Sequence, residues 1–364
     1  MKFTVSKALI SDALGNVQTG AGKSTMPILA NVKIEAKDGQ ATFVTTDLDF
    51  TAVATIPCNV IEEGATTLPA KLLMSAISRA ADGDISIEVS KENERAVIQA
   101  GVSLFRINGL PAADFPRLPE EDGDEAEFTI PQGDLKSIMR RTMYAMTDDD
   151  TRRALRGINF KFSEGKLKVA ATDGRRLAYA EYAPQEPYAF ELDFILPSKC
   201  VCELVRNLGT AGDAVFTRRK TLIRVKISDS LVLYSKLIDD AYPPYNRVIP
   251  TSNDKTVVVD RMQLIGAIER VSVFADGNTL KLNFANNNLT LTSANTEVGD
   301  AKDDVPVKYD GEPIEARYNH YYLLDVLKAS DDDDITFLFN EGTTPVIIKD
   351  SGAGMAVVMP LRVN

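Results

Sequence analysis

The 364-residue chain has no tryptophan, a single histidine (His320) and three cysteines (Cys58, Cys200 and Cys202). Each scarcity removes chemistry. A Ser–His–Asp triad has only His320 to serve as its base. A zinc site built from Cys and His has only these four side chains to draw on. Cys200 and Cys202 stand two apart in an expected helix, so they point about 200° apart around its axis. They read as small buried hydrophobes rather than as a metal or dithiol pair. Three cysteines cannot all pair within one chain, which fits a reducing cytoplasm. Apolar runs are only a few residues long, as at Val257-Val258-Val259, so no membrane-spanning helix is expected. The start, Met1-Lys2-Phe3-Thr4-Val5, lacks a signal peptide's apolar stretch. The expectation is a cytoplasmic protein with no metal, no cofactor and no membrane partner.

What the sequence has in excess is acid. Asp and Glu number 52 against 41 Lys and Arg, a net charge of −11 with a pI near 4.9. Taken whole, that charge argues against a phosphate-backbone binder, which usually shows basic patches. The 44% apolar content supports packed cores, and the length suits two or three domains.

An internal repeat organises the chain. Phe3-Thr4-Val5 recurs as Phe128-Thr129-Ile130, Asp38-Gly39 as Glu164-Gly165, and Thr46-Asp47 as Thr172-Asp173. Leu68-Pro69-Ala70-Lys71 recurs as Leu196-Pro197-Ser198-Lys199, and Asp114-Phe115-Pro116 as Ala241-Tyr242-Pro243. The offsets all lie near 126, too regular for chance. In a third copy, Thr256-Val257-Val258-Val259 leads an amphipathic segment, and Leu280 to Thr292 reads as a hairpin turning at Asn286-Asn287-Asn288. The expected domains are 1–124, 125–251 and 252–364, joined at the acidic stretch 120–125 and at 250–254. Each copy reads as strand, helix and strand meander, twice over. Helices are expected at 6–19, 70–81, 132–146, 198–208, 260–274 and 319–330. Ser6, Asp260 and Asn319 are their caps, and Pro131 and Pro197 mark first turns. Leu135, Ile138, Met139 and Met143 share one helical face. The fold class is therefore α+β, each domain two helices on antiparallel sheets.

The charge is not evenly spread. The six helical segments carry eleven basic residues, Lys7, Lys71, Arg79, Lys136, Arg140, Arg141, Lys199, Arg206, Arg261, Arg270 and Lys328, against six acids. That is a net +5, which leaves −16 for the rest. Basic helices on an acidic body imply one surface that tolerates phosphate and another that repels it; ordinary solvated helix faces would give the same count.

Two other motifs fail on spacing. Gly22-Lys23-Ser24-Thr25 lacks the P-loop's first glycine, Val17 standing there, and the preceding apolar strand. The runs Asp148–Asp150 and Asp331–Asp334 lack the glycine and distal glutamate of a calcium loop, and read as solvated turns.

With its threefold repeat, the chain resembles the bacterial replicative sliding clamps, the beta subunits of DNA polymerase III. The matching pieces run the full length: Met1-Lys2-Phe3-Thr4-Val5, Met26-Pro27-Ile28-Leu29, Thr46-Asp47-Leu48 and Leu110 to Pro116. They continue with Ala171 to Ala178, Tyr242 to Val248, and Val357-Val358-Met359-Pro360-Leu361-Arg362. The resemblance implies three DNA-clamp domains per chain, closing as a head-to-tail homodimeric ring with helices lining the hole. It implies a non-catalytic processivity subunit that encircles duplex DNA without reading its sequence. Loose phosphate attraction suits sliding. The cations expected to face DNA are Lys23, Lys71, Arg79, Lys136, Arg140, Arg141, Lys199 and Arg206, with Asp148–Asp150 opposing phosphate at the second domain's loop. It implies a cleft between the second and third domains for short apolar-tailed peptides of the polymerase, clamp loader and repair proteins. The matching positions are Leu155, Thr172, Gly174, Arg175, Arg176, Leu177, Pro243, Arg247, Val248, Val346, Val357, Val358, Met359, Pro360, Leu361 and Arg362. Their apolar side chains offer a groove, and Arg176 and Arg247 could donate to peptide carbonyls. Leu177 and Val358 read equally well as core. Family members often carry His where Arg175 stands, and usually end near Arg362, two residues short of Asn364. At the ring seam, Ile77, Phe105 and Ile107 are expected to meet Val273 and Phe274 of the other chain. The alternative is a DNA-independent peptide-binding scaffold.

Overall fold

The computed structural model describes residues 1–22, 25–90, 93–119, 126–352 and 354–361. Lys23, Arg362, the acidic stretch 120–125 and the terminal Val363 and Asn364 lie outside the described residues.

One order of elements occurs three times, with an additional short strand, Asn59–Glu62, in the first set. First come β1 (Lys2–Ser6), α1 (Lys7–Val17), β2 (Asn31–Lys37), β3 (Gln40–Thr46), β4 (Phe50–Pro57), β5 (Asn59–Glu62), β6 (Gly64–Pro69), α2 (Ala70–Arg79), β7 (Asp84–Val89), β8 (Arg95–Ala100) and β9 (Ser103–Asn108). Then follow β10 (Ala126–Pro131), α3 (Gln132–Arg140), β11 (Gly157–Ser163), β12 (Lys166–Thr172), β13 (Arg176–Tyr182), β14 (Leu192–Pro197), α4 (Ser198–Asn207), β15 (Asp213–Arg218), β16 (Leu222–Ser228) and β17 (Leu231–Lys236). The last set is β18 (Lys255–Asp260), α5 (Arg261–Val271), β19 (Thr279–Ala285), β20 (Asn288–Asn295), β21 (Gly299–Lys308), β22 (Ile314–Asn319), α6 (His320–Ala329), β23 (Asp334–Phe339), β24 (Val346–Lys349) and β25 (Gly354–Val358).

Local chemistry explains the repetition. Ser6 accepts the Leu9 amide at 3.4 Å, Asp260 the Gln263 amide at 2.7 Å and Asn319 the Tyr321 amide at 3.0 Å, so the three expected caps open α1, α5 and α6. The hairpins β2–β3, β11–β12 and β19–β20 each turn on two residues with positive φ: Asp38 and Gly39, Glu164 and Gly165, Asn286 and Asn287. Such turns match the right-handed twist of the strands they join. Helix α3 stops at Arg140, short of the expected 146. The Thr142 hydroxyl bonds the carbonyls of Ile138 and Met139, competing with further helical turns, and Met143–Ala145 forms a separate 3₁₀ turn. Leu135, Ile138 and Met139 of α3 are buried.

The chain packs as two compact units. One comprises 1–133 with 202–237, the other 134–201 with 238–364. In the first, β5-β1-β7-β8-β9 form one antiparallel sheet and β10-β15-β16-β17-β4-β3-β2-β6 another. In the second, β14-β11-β12-β13-β25-β24-β23-β18-β21-β20-β19-β22 form a single antiparallel sheet. The strands of the central copy are thus shared out, β17 pairing with β4 and β13 with β25. In the second unit, α5 and α6 cover a core containing Phe284, Tyr318, Phe337 and Phe339.

The cysteine reading is corrected at one position. Cys200 is buried but Cys202 is exposed, because two residues along a helix carry a side chain to the other face. His320 is buried, with Nδ1 3.0 Å from the Asn278 carbonyl.

Candidate functional site

The expected cleft residues gather in the second unit, around the turn that joins β12 to β13. The sequence Thr172-Asp173-Gly174-Arg175 folds on its own side chains. Asp173 Oδ1 accepts the amides of Arg175 at 2.9 Å and Arg176 at 3.0 Å. The Thr172 hydroxyl donates to the Arg176 carbonyl at 2.6 Å and accepts the Gly174 amide at 3.1 Å. Gly174 sits at φ +84°, the left-handed region that suits a residue without Cβ. The turn then receives the C-terminal segment, because the Met359 amide donates to the Arg175 carbonyl at 3.0 Å.

Beside the turn lies a separate apolar cluster of Ala170, Leu177, Tyr245, Ile347 and Val357, with Tyr179, Tyr242, Ile249, Leu338 and Met355 packed against it. Burial drives the Tyr245 phenol up to about 12. Burial also raises Tyr179, helped by its hydrogen bond to Glu181. Val248, Met359 and Leu361 are exposed, as are Pro243, Arg175 and Arg247, while Pro360 is half-buried and the Leu361 amide donates to the Arg317 carbonyl at 2.7 Å. Leu155 is buried in a 3₁₀ turn, its carbonyl accepting the Thr147 amide at 3.0 Å.

Three expectations change. Val346 and Val358 face the α5–α6 core, away from the Leu177–Val357 cluster. The pleat alternates along β24 and β25, so Ile347 and Val357 lie on the cluster's side and their neighbours on the other. Arg176 is not available for a peptide carbonyl. Its side chain, 9% exposed, bonds Asp173 at 3.1 Å, Asp325 of α6 at 2.6 Å and the Tyr144 carbonyl at 2.6 Å, and lies 4.5 Å from the Tyr322 ring centre. Arg141 is likewise engaged within the chain. It is ion-paired with Asp350, both side chains being largely buried.

Sequence reasoning missed Tyr179, Tyr242, Tyr245 and Ile347, although Tyr242-Pro243-Pro244-Tyr245 stood beside residues it chose. It also missed Arg152, which ties the turn down by bonding the Asp173 carbonyl, Asp149 and Thr147. Asp149 and Asp150 are ion-paired with Arg152 and Arg156. Hydrogen bonds from Thr151, then from Arg152, hold the Asp149 carboxyl below its ordinary range.

The helix cations are partly neutralised. Lys7 pairs with Asp82, Arg206 with Glu203, Arg270 with Asp303 and Lys328 with Glu269. Arg261 donates to the Asp332 carbonyl. Arg140 is exposed, 4.0 Å from Asp331. Lys71 and Arg79, both on α2, are exposed, and Arg79 lies 3.4 Å from its own helix's Ser75 carbonyl. Lys136 and Lys199 are half-buried.

Comparison with known proteins fits this arrangement. Family models of the DNA polymerase III beta subunit match in order: the N-terminal domain at residues 1–119, the central domain at 129–244 and the C-terminal domain at 246–362. A beta sliding clamp from Caulobacter vibrioides is 34% identical over 374 residues, with 100% of both chains covered. The chain belongs to the DNA polymerase III beta subunit family. Crystal structures agree: the DNA polymerase III subunit beta from Pseudomonas aeruginosa matches with a TM-score of 0.91 at 31% identity, covering 100% of both chains. The clamp of that organism bound to griselimycin matches at 0.93, 31% identity and the same coverage.

For a member of the beta subunit family, the residues expected at a subunit seam divide sharply. Ile77 and Ile107 are buried within the chain, so neither offers surface to a partner. Ile77 lies on the inward stripe of α2, and Ile107 on the inward side of β9. Phe105 is half-buried on β9, which forms an open sheet edge, and its neighbour Leu104 is 43% exposed. Val273 is 75% exposed and Phe274 half-buried.

Proposed function

We propose that this chain is a DNA sliding clamp, the non-catalytic processivity subunit of a replicative polymerase, working in the cytoplasm. Two copies close head to tail into a ring around duplex DNA, each contributing three domains, 1–124, 125–251 and 252–364. The observation that carries this reading is the full-length, in-order match to the three beta subunit domains, laid on a backbone whose elements repeat three times. The exposed cations Lys71, Arg79 and Arg140, with Lys23, Lys136, Lys199 and Arg206, supply weak phosphate attraction, and the acidic remainder limits tight binding. The seam joins the β9 edge, with Phe105 and Leu104, to Val273 and Phe274 of the second copy.

The partner-binding site is the surface beside the Thr172–Arg175 turn. Val248, Met359, Leu361, Pro243 and Pro360 supply its apolar face, and Arg175 and Arg247 are its donors. Thioether and branched aliphatic side chains adapt to varied short peptides of the polymerase, clamp loader and repair proteins.

The decisive experiment loads the protein onto nicked circular DNA with its loader and then linearises the circle. A sliding ring is retained on the circle and lost from the ends. Retention after linearisation contradicts sliding, and failure to load favours a DNA-independent peptide scaffold. Light scattering should give a species near twice the 39.8 kDa chain mass. A monomer throughout the micromolar range would contradict the ring. Met359→Ala with Leu177→Ala should weaken a polymerase peptide at least tenfold; unchanged affinity would remove the cleft assignment.

A further inference from the structure

The first unit contains a second junction of the same construction. There β4 meets β17 as β13 meets β25, and in the same register: Phe50 opposite Ser235 and Thr51 opposite Tyr234, matching Arg176 opposite Val358 and Leu177 opposite Val357. Asp47 Oδ1 accepts the amides of Asp49 at 3.1 Å and Phe50 at 2.7 Å, as Asp173 accepts those of Arg175 and Arg176. The Lys236 amide donates to the Asp49 carbonyl at 2.8 Å, as Met359 donates to Arg175. Pro116 takes the place of Pro243 by the repeat offset. At this junction lies a cavity of about 500 Å³, a volume suited to a ligand side chain and its neighbours.

The chemistry differs while the backbone repeats. Leu48, 49% exposed, Leu222, Pro116 and the buried Tyr234 give the cavity apolar walls. Lys236 replaces Met359, and among the described residues the lining carries four cationic side chains against one carboxylate, that of Asp49, which Lys236 holds at 2.8 Å. Lys220 and Arg117 are exposed at the rim.

We propose that this cavity is a second peptide-docking site, selective for segments in which acidic residues alternate with large apolar ones. The proposal rests on the reading of the Thr172–Arg175 surface as a peptide site, and charge complementarity selects the occupant. Apolar walls beside the cations and the repeated strand junction favour a peptide that carries both acidic and apolar side chains over nucleic acid, which needs a continuous cationic track with stacking faces.

The test is fluorescence anisotropy with the full chain at low salt, using a labelled decapeptide of alternating aspartate and leucine. Saturable binding at roughly 100 μM or tighter is expected, and a lysine–leucine decapeptide should bind at least tenfold more weakly. Lys236→Glu with Lys220→Glu should weaken the acidic peptide at least tenfold, and the milder Lys236→Met several-fold. Met359→Ala with Leu177→Ala should leave it unchanged. Absence of saturation overturns the proposal, as does loss of binding in the Met359 variant without loss in the Lys236 variants. Tighter competing binding by a ten-residue thymidine oligonucleotide, lost in the Lys236 variants, would make the cavity a nucleic-acid contact instead and overturn it too. A polymerase peptide titrated in parallel keeps the two sites apart: its indifference to the Met359 variant removes the first site's reading alone.

Discussion

Phe50 and Arg176 occupy one position of the repeat, and they hold their junctions by opposite means. Phe50 is 2% exposed, an oily ring sealed beside β17. Arg176 is nearly as enclosed, yet it is a cation surrounded by Asp173, Asp325, the Tyr144 carbonyl and two aromatic faces. The first is stabilised by removing apolar area from water. The second depends on each of the three guanidinium nitrogens donating to an acceptor. One backbone plan therefore tolerates either solution, provided the position is filled.

Breaking the apolar junction should have the largest effect. Phe50→Ala removes a fully buried ring and should cost about 3–5 kcal/mol in urea unfolding of the first unit, with little dependence on salt. Arg176→Ala should cost about 3 kcal/mol, because Asp173, at 14% side-chain exposure, loses its cation. Asp325 is 41% exposed and adds less, and 1 M salt should narrow the difference from wild type. Arg176→Lys should recover part of the loss without restoring the forked contacts. A salt-independent Arg176→Ala penalty would show that the position is only a space filler.

The floors beside the two junctions sharpen the contrast at high pH. In the first unit the corresponding cluster is Ile28, Leu29, Val44 and Phe115, with Val53 against it, and none of these ionises. In the second, Tyr245 moves from an unfolded value of 10.0 to about 12. A raised folded value means that this stabilisation is complete below pH 10 and is lost as pH rises toward 12, because the unfolded chain ionises first. The second unit should unfold before the first under alkali, and Tyr245→Phe should flatten its pH profile over that interval. Smallest of all is the capping difference. Asp260→Ala should cost about 1 kcal/mol, and Ser6→Ala less, since the Ser6 bond is 3.4 Å against 2.7 Å.

Local chemistry was legible in the sequence and distant pairing was not. The caps Ser6, Asp260 and Asn319, the hairpin turns and the six helices each depend on a few adjacent residues, and the repeat offset checked them against one another. Arg176 and Arg141 find their acids 149 and 209 residues away, which no spacing rule anticipates. The alternation Val346-Ile347-Ile348 announces two faces, but only the pairing of β24 with β25 tells which face meets the helices. Extending the repeat past Lys236 would have set it against Met359, and so drawn attention to the cationic cavity.

The sharing of the central copy's strands governs how the chain could be cut. A fragment ending at residue 251 would keep β13 but lose β25, exposing a five-residue row of amides and carbonyls from Arg176 to Ala180. Such a bare edge invites intermolecular pairing, so the fragment would gather into aggregates. The boundary after β17 is thus a poor place to divide the protein, since β17 and β25, the strands that end the second and third copies, each close the sheet of the copy before.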